Sequence, residues 1–205
     1  MRLFLVFFVT LLIEEKAAFK NCSDIDRDNA IPDYYWREYL GVIPSDAIPG
    51  GFDKANQRTY IGQMYHSRFG LLPSTIYKGS KHFLASGGGS SFVTDTFVKV
   101  LCSPHHNRYK WIPTENSKSH LLSDYHLVIG GNEAGYVLNI GRVNHESEII
   151  LGKVFNHNTP HRGLSIPYKS KETIYQSYEI LIYDYCANST ERGRIDVRFL
   201  EPNAV

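Results

Sequence analysis

One run of landmarks occurs twice, in the same order, within this chain of 205 residues. Trp36 opens a stretch that continues through Ile43-Pro44, Ala47, Gly50-Gly51, Tyr60-Ile61-Gly62 and His66. Trp111 opens a second, through Ile112-Pro113, Gly130-Gly131, Asn139-Ile140-Gly141 and His145. In both, the His follows the Gly of the Ile-Gly pair by four residues. An apolar pair comes next, Leu71-Leu72 or Ile149-Ile150, then Ile76-Tyr77 or Val154-Phe155. A hydrophobic strand closes each copy, Phe97 to Leu101 and Tyr178 to Ile182. The spacing widens from 75 residues at the tryptophans to 81 at the closing strands, as small insertions require. Self-similarity of this length marks repeated supersecondary units that bury their apolar faces against each other. A unit of ~75–80 residues is marginal alone. Two copies sharing one core are therefore expected, over 33–103 and 109–184, with a C-terminal strand and tail over 185–205.

Each copy reads as β. Tyr136, Leu138 and Ile140 alternate with Val137, Asn139 and Gly141, and Ile195, Val197 and Phe199 alternate with Arg194, Asp196 and Arg198. A period of two puts one face in the core and one in solvent. Pro49-Gly50-Gly51, Gly130-Gly131-Asn132 and 156–163 read as turns, and Gly87-Gly88-Gly89-Ser90-Ser91 as a flexible loop. No stretch holds a helical stripe for three turns; 33–40 fits either one helical turn or a strand. The 14 Tyr and 11 Phe suit sheet faces or sugar-stacking surfaces, and packing is the commoner use of any one ring. Lys+Arg 22 against Asp+Glu 21 leaves no basic footprint for nucleic acid.

The N-terminus reads as an export signal, residues 1–18. Arg2 precedes an apolar run from Leu3 to Ile13, too short for a bilayer span of ~20 residues and right for a signal core of ~7–15. A secreted, extracellular protein is expected, without a membrane span. Asn21 and Asn188 head N-glycosylation sequons. An oxidising compartment permits one disulfide among Cys22, Cys102 and Cys186. Cys102 with Cys186 is the expected pair, since both lie just past comparable strands of the two copies.

These landmarks resemble the DM9 repeat, an invertebrate family. The resemblance rests on Trp36 with Gly41-Val42-Ile43-Pro44, Ala47 through Asp53, Tyr60-Ile61-Gly62 and His66. In the second copy it rests on Ile140-Gly141-Arg142, His145, Gly152-Lys153-Val154, Ile166-Pro167-Tyr168, Lys171-Glu172 and Tyr178 to Leu181. It implies an all-β fold, two tandem repeats in one pseudo-twofold antiparallel unit. Some members look like mannose-recognising lectins of innate immunity, and others are linked to vesicles. In lectin-like members the sugar contacts come from an Asp after the Gly-Gly pair and a Lys after a Gly. A carboxylate accepts from sugar hydroxyls and an ammonium donates to them, in charge-assisted bonds. Here the first copy has Asp53, but Ser74-Thr75 replaces Gly-Lys. The second has Gly152-Lys153, with Asn132-Glu133 in place of Gly-x-Asp and one residue fewer before the next landmark. Neither copy is expected to hold both groups in register. Two outcomes stay open: a hybrid site using Asp53 and Lys153 across the pseudo-symmetry, or a decayed site whose charges are surface. Arg142 and His145, beside the Ile-Gly landmark, are secondary sugar-site candidates.

Other chemistry is not indicated. The triple glycine is followed by Phe92 rather than Lys and Ser/Thr, so it is no phosphate loop. His105-His106 and His157 with His161 read as loop histidines rather than a metal site, Pro160 interrupting any helix. No Cys-x-x-Cys pair is present for zinc. No paired catalytic signature appears and no cofactor is expected. The lead reading is a non-catalytic, glycan-binding recognition protein, with self-association open. The alternative is a structural or vesicle-associated protein-binding module with a decayed sugar site.

Overall fold

The computed structural model describes residues 31–155, 163–185 and 187. The signal segment, Asn21, Asn188, Cys22, Cys186, His157, His161 and the strand expected around Ile195 lie outside the described residues. The first half runs β1 Tyr35–Glu38, β2 Pro49–Phe52, β3 Arg58–His66, β4 Gly70–Ile76, β5 Phe83–Gly87, β6 Ser90–Thr94 and β7 Val98–Cys102. The second runs β8 Tyr109–Glu115, β9 His126–Leu127, β10 Ile129–Glu133, β11 Tyr136–His145, β12 Glu148–Phe155, β13 Leu164–Tyr168, β14 Lys171–Tyr175 and β15 Ser177–Tyr183. Short 3-10 segments occupy His106–Arg108 and Ser119–Asp124. The fold is all-β and its pairings are antiparallel. Among the described residues no helix is long and apolar enough to cross a membrane.

The pairings of the first half recur in the second. β1–β7, β2–β3, β3–β4, β3–β7 and β5–β6 have counterparts in β8–β15, β10–β11, β11–β12, β11–β15 and β13–β14. One path runs β4-β10-β11-β12-β13-β14-β6-β5. It returns to its start where Ser74 Oγ of β4 donates to the Leu84 carbonyl of β5 at 2.8 Å.

Contacts between the halves are reciprocal. Gln63 donates to the Gly130 carbonyl at 2.7 Å, and Arg142, in the matching place, donates to the Gly50 carbonyl at 3.0 Å. Ser91 N–H reaches Ser170 O, and Glu172 N–H reaches Gly89 O. A Cβ on Gly50 would meet Leu151 and one on Gly51 would meet Ile149; on Gly130 and Gly131 it would meet Pro73 and Leu71.

The core follows the same division. One cluster is built mainly by the first half around Met64, Leu72 and Val100, and another by the second around Val154, Leu164 and Ile180. A third, with Ile48, Ile61, Leu101, Val128, Ile140, Leu151 and Leu181, draws on both halves.

Three sequence expectations are corrected. The Gly-Gly pairs lie in strands β2 and β10, not turns; the space their Cβ atoms would need is filled by Leu151 and Ile149 at Gly50 and Gly51, by Ile140 and Pro73 at Gly130, and by the Leu71 backbone at Gly131. The triple-glycine segment is the turn of the β5–β6 hairpin, with Gly88 and Gly89 at φ +58° and +83°, the left-handed pair such a two-residue turn requires. Of the two conformations left open for 33–40, the strand is the one formed, over 35–38 and paired with β7. The alternation in β11 does not separate core from solvent at mid-strand, since Leu138, Asn139, Ile140 and Gly141 are all buried between layers. The Asn139 amide nitrogen donates to the Val128 carbonyl at 3.3 Å. Cys102 is buried and has no disulfide partner among the described residues; burial and the Asp46 carboxylate push its thiol up to about 11.

Candidate functional site

Lys153 projects from β12, between β11 and β13. Gly152 before it lets β13 approach closely, since any Cβ there would collide with the Ser165 carbonyl. Only 3% of the Lys153 side chain is exposed, too little for a surface charge. A buried ammonium requires partners, and it has two. Glu133, ending β10, forms an ion pair and hydrogen bond with Nζ. Glu172 of β14 lies 3.0 Å away. The Phe155 ring centroid lies 5.3 Å from Nζ, within cation–π range.

Glu172 is itself held. Its Oε2 accepts the Gly89 N–H at 2.8 Å, and its own N–H donates to the Gly89 carbonyl at 3.2 Å. The β5–β6 turn of the first half thus clamps a carboxylate of the second. Burial pushes the Glu172 carboxyl up, but the Gly89 N–H, the Lys153 charge and Ser165 outweigh it and hold the carboxyl below its usual range. One ammonium faces two carboxylates, so the cluster is rich in acceptors.

This arrangement corrects the expected absence of an in-register pair. Glu133 follows Gly130-Gly131 as Asp53 follows Gly50-Gly51, and Glu133 meets Lys153 within the second half. The one-residue shortening before the next landmark is taken up by the tight turn at Ala134 and Gly135, at φ +49° and +86°. The longer Glu side chain spans what remains. Lys153 is also not the surface charge of a decayed site.

Asp53 and Lys153 are not brought together. Asp53 Oδ1 accepts from the N–H groups of Ala55 at 2.9 Å and Gln57 at 2.8 Å, holding the β2–β3 loop. Gly51 packs on Ile149, and Lys153 lies four residues further along β12, about 13 Å. In the place of Lys153 the first half has Thr75, whose Oγ1 accepts the Leu151 N–H at 3.0 Å.

Arg142 is engaged elsewhere. Its Nε donates to Glu179 at 2.7 Å, and its guanidinium lies 4.2 Å from the Trp111 ring centroid. His145 hydrogen-bonds Tyr175 through Nδ1 and packs edge-on against Tyr168 at 4.1 Å. Beside it, Tyr168 and Lys169 reach Glu146 across two hairpin tips. In the first half His66 stacks on Phe92 at 4.3 Å and accepts the Arg68 N–H at 3.2 Å.

Sequence reasoning missed the roles of Glu172 and Gly89. The repeat offset could have flagged Glu172, because it aligns with Ser91 and so marks a charge gained in one copy only. Nothing in the sequence pointed to the Gly89 amide, whose role arises from packing between halves. Among the described residues no group of three or more His, Cys, Asp or Glu could hold a metal ion.

A family model described as the DM9 repeat matches residues 67–175. No curated protein matches the chain. Among solved structures, the crystal structure of the nematode sperm cell motility protein MFP2B is similar, with 12% sequence identity and a TM-score of 0.49. That match takes in 80% of this chain and 52% of the other, so the chain spans about half of its length.

Proposed function

The chain belongs to the DM9 repeat family, and from that footing we propose that it is a secreted, non-catalytic recognition protein of innate defence that binds neutral, mannose-type glycans. The observation that carries this reading is the Glu133–Lys153 pair, in the register where lectin-like relatives place their sugar-contacting acid and lysine. Glu172 extends the pair. A vicinal diol suits such a cluster, because each hydroxyl donates to a carboxylate and accepts from the ammonium. The tandem-repeat reading, two DM9-type units about a pseudo-twofold, is part of the proposal and is supported by the reciprocal contacts of Gln63 with Gly130 and Arg142 with Gly50.

One observation favours a second reading. With 3% of its side chain exposed, Lys153 is saturated by internal partners, as in a protein-binding or structural module that keeps the ion cluster for stability alone.

A glycan array separates the two. Wild-type protein should bind neutral hexose-bearing glycans, and Glu133→Gln should weaken binding roughly 10- to 150-fold, the worth of one charge-assisted hydrogen bond of ~1.5–3 kcal/mol. Unchanged binding by Glu133→Gln, or an array blank for every neutral glycan, would sink the proposal in favour of the protein-binding reading.

A further inference from the structure

A cleft of about 510 Å³ opens on the first half and shares no lining residue with the Lys153 cluster. Pro44, Pro49 and Tyr60 supply an apolar side, and Arg58, Lys78 and His106 supply polar groups. Tyr60 and neighbouring Ile43 pack onto the first core cluster, which makes that wall rigid.

The charges are unusual for a chain so nearly balanced. Arg58 and Lys78 are both exposed. Neither takes part in an ion pair among the described residues. No lining residue is acidic. The acids close by in sequence are committed elsewhere, Asp46 to Tyr35 and Arg37, Asp53 to its own loop. His106 Nε2 donates to the Asp46 carbonyl at 3.1 Å. Isolated surface cations are usually just solvated, but cations converging on a concave site beside an aromatic wall focus a positive field where a ligand can sit.

The cleft also breaks the internal symmetry. It forms under the Gly41–Pro44 stretch between β1 and β2. The connection between β8 and β10 is longer and carries the 3-10 segment Ser119–Asp124, whose Leu122 packs on the third core cluster. The site is a property of one half rather than of the repeat.

We propose that this cleft binds an acidic sugar, a hexuronate residue of a glycan. The carboxylate sits on Arg58 and Lys78, where guanidinium geometry allows two parallel hydrogen bonds. The C–H face of the pyranose lies on Tyr60, between Pro44 and Pro49. The volume falls in the range of pockets that enclose small ligands, ~300–1,000 Å³. This assignment goes beyond the neutral-glycan site and does not depend on it, because the two share no residue.

The test is an NMR titration of the full chain with glucuronate, with glucose and with inorganic sulfate. Glucose differs from glucuronate in lacking the carboxylate. Glucuronate should shift the amide signals of Tyr60, Lys78 and Gly79 saturably, and glucose should not. The double variant Arg58→Ala, Lys78→Ala removes only exposed side chains, so its spectrum should stay dispersed while glucuronate binding falls roughly tenfold or more. Tyr60→Leu, which retains an apolar contact with the core, should weaken binding too. The proposal is overturned if glucuronate leaves these signals in place, or if the double variant binds equally well. It is also overturned if sulfate displaces glucuronate at equal concentration, since the cleft would then be a plain anion trap.

Discussion

Lys153 owes its position to Gly152 beside it, where any side chain would strike β13, and one of its two carboxylates to Gly89, whose N–H holds Glu172. Removing the lysine would leave two carboxylates facing each other in a nearly dry site. Lys153→Ala should therefore destabilise the fold by about 3–5 kcal/mol, as loss of one partner from a buried ion pair does. Urea unfolding measures this, and a cost below about 1 kcal/mol would mean that water reaches the pair and screens it. Acid should act on the same cluster. Glu172 has its folded pKa held below the usual carboxylate value. Its contribution is fully present above the unfolded pKa, about 4.3, and is lost as pH falls through the lower folded value. Glu172→Gln should flatten the acid side of the stability–pH curve below pH ~4.3 and leave its slope near neutrality alone. An unchanged acid limb would assign the loss to other groups such as Asp33, whose carboxyl is also lowered, burial raising it but His105, Tyr183, Ser103 and Arg108 prevailing.

At the level of strands, glycine determines how closely the layers meet. Gly51 faces Ile149 and Gly152 faces the Ser165 carbonyl and Ile166. The two differ in what a methyl group would strike. At Gly51 it meets the root of the Ile149 side chain, no nearer than 2.5 Å; at Gly152 it meets the Ser165 backbone carbonyl at 2.1 Å. Gly152→Ala should therefore cost more than Gly51→Ala, at or above the upper end of the ~1–3 kcal/mol typical of overpacking. Chemical-denaturation midpoints of the two variants give the order directly, and a reversed order would place the flexible contact at β12–β13. The same geometry explains why Gly-Gly and Gly-Gly-Gly could not be told apart in the sequence. Both read as punctuation, yet one kind sits mid-strand under a neighbour's side chain and the other forms a left-handed hairpin turn.

On the scale of the whole molecule, the halves are joined by a shared core cluster and by reciprocal contacts rather than by a linker alone. Neither half encloses the face carrying Ile48, Ile61 and Leu101 or the one carrying Val128, Ile140 and Leu181 without the other. Fragments 1–104 and 105–205 should each lack a cooperative thermal transition when expressed separately, and should regain one when co-expressed. The physical basis is size as well as contact, since a unit of ~75–80 residues buries too small a share of its surface to be stable unaided. A sharp transition from either fragment alone would show that its half-core suffices.

The sequence by itself determined the all-β class, the family resemblance, and the order of elements shared by the halves. Those follow from local chemistry, apolar alternation and landmark spacing, which any unfolded copy of the chain already carries. Which acid meets Lys153 was not decided there. Glu133 keeps the place of Asp53 relative to the Gly-Gly pair, yet only Glu133, just before the tight turn at Ala134-Gly135, meets a lysine. Glu172 and the Gly89 amide join the cluster from positions 19 and 64 residues from Lys153 in sequence. The cleft beside Arg58 and Lys78 likewise depends on what fails to fill it. Side-chain reach and the burial of a charge depend on packing between segments far apart in the chain, so only the tertiary structure could decide them.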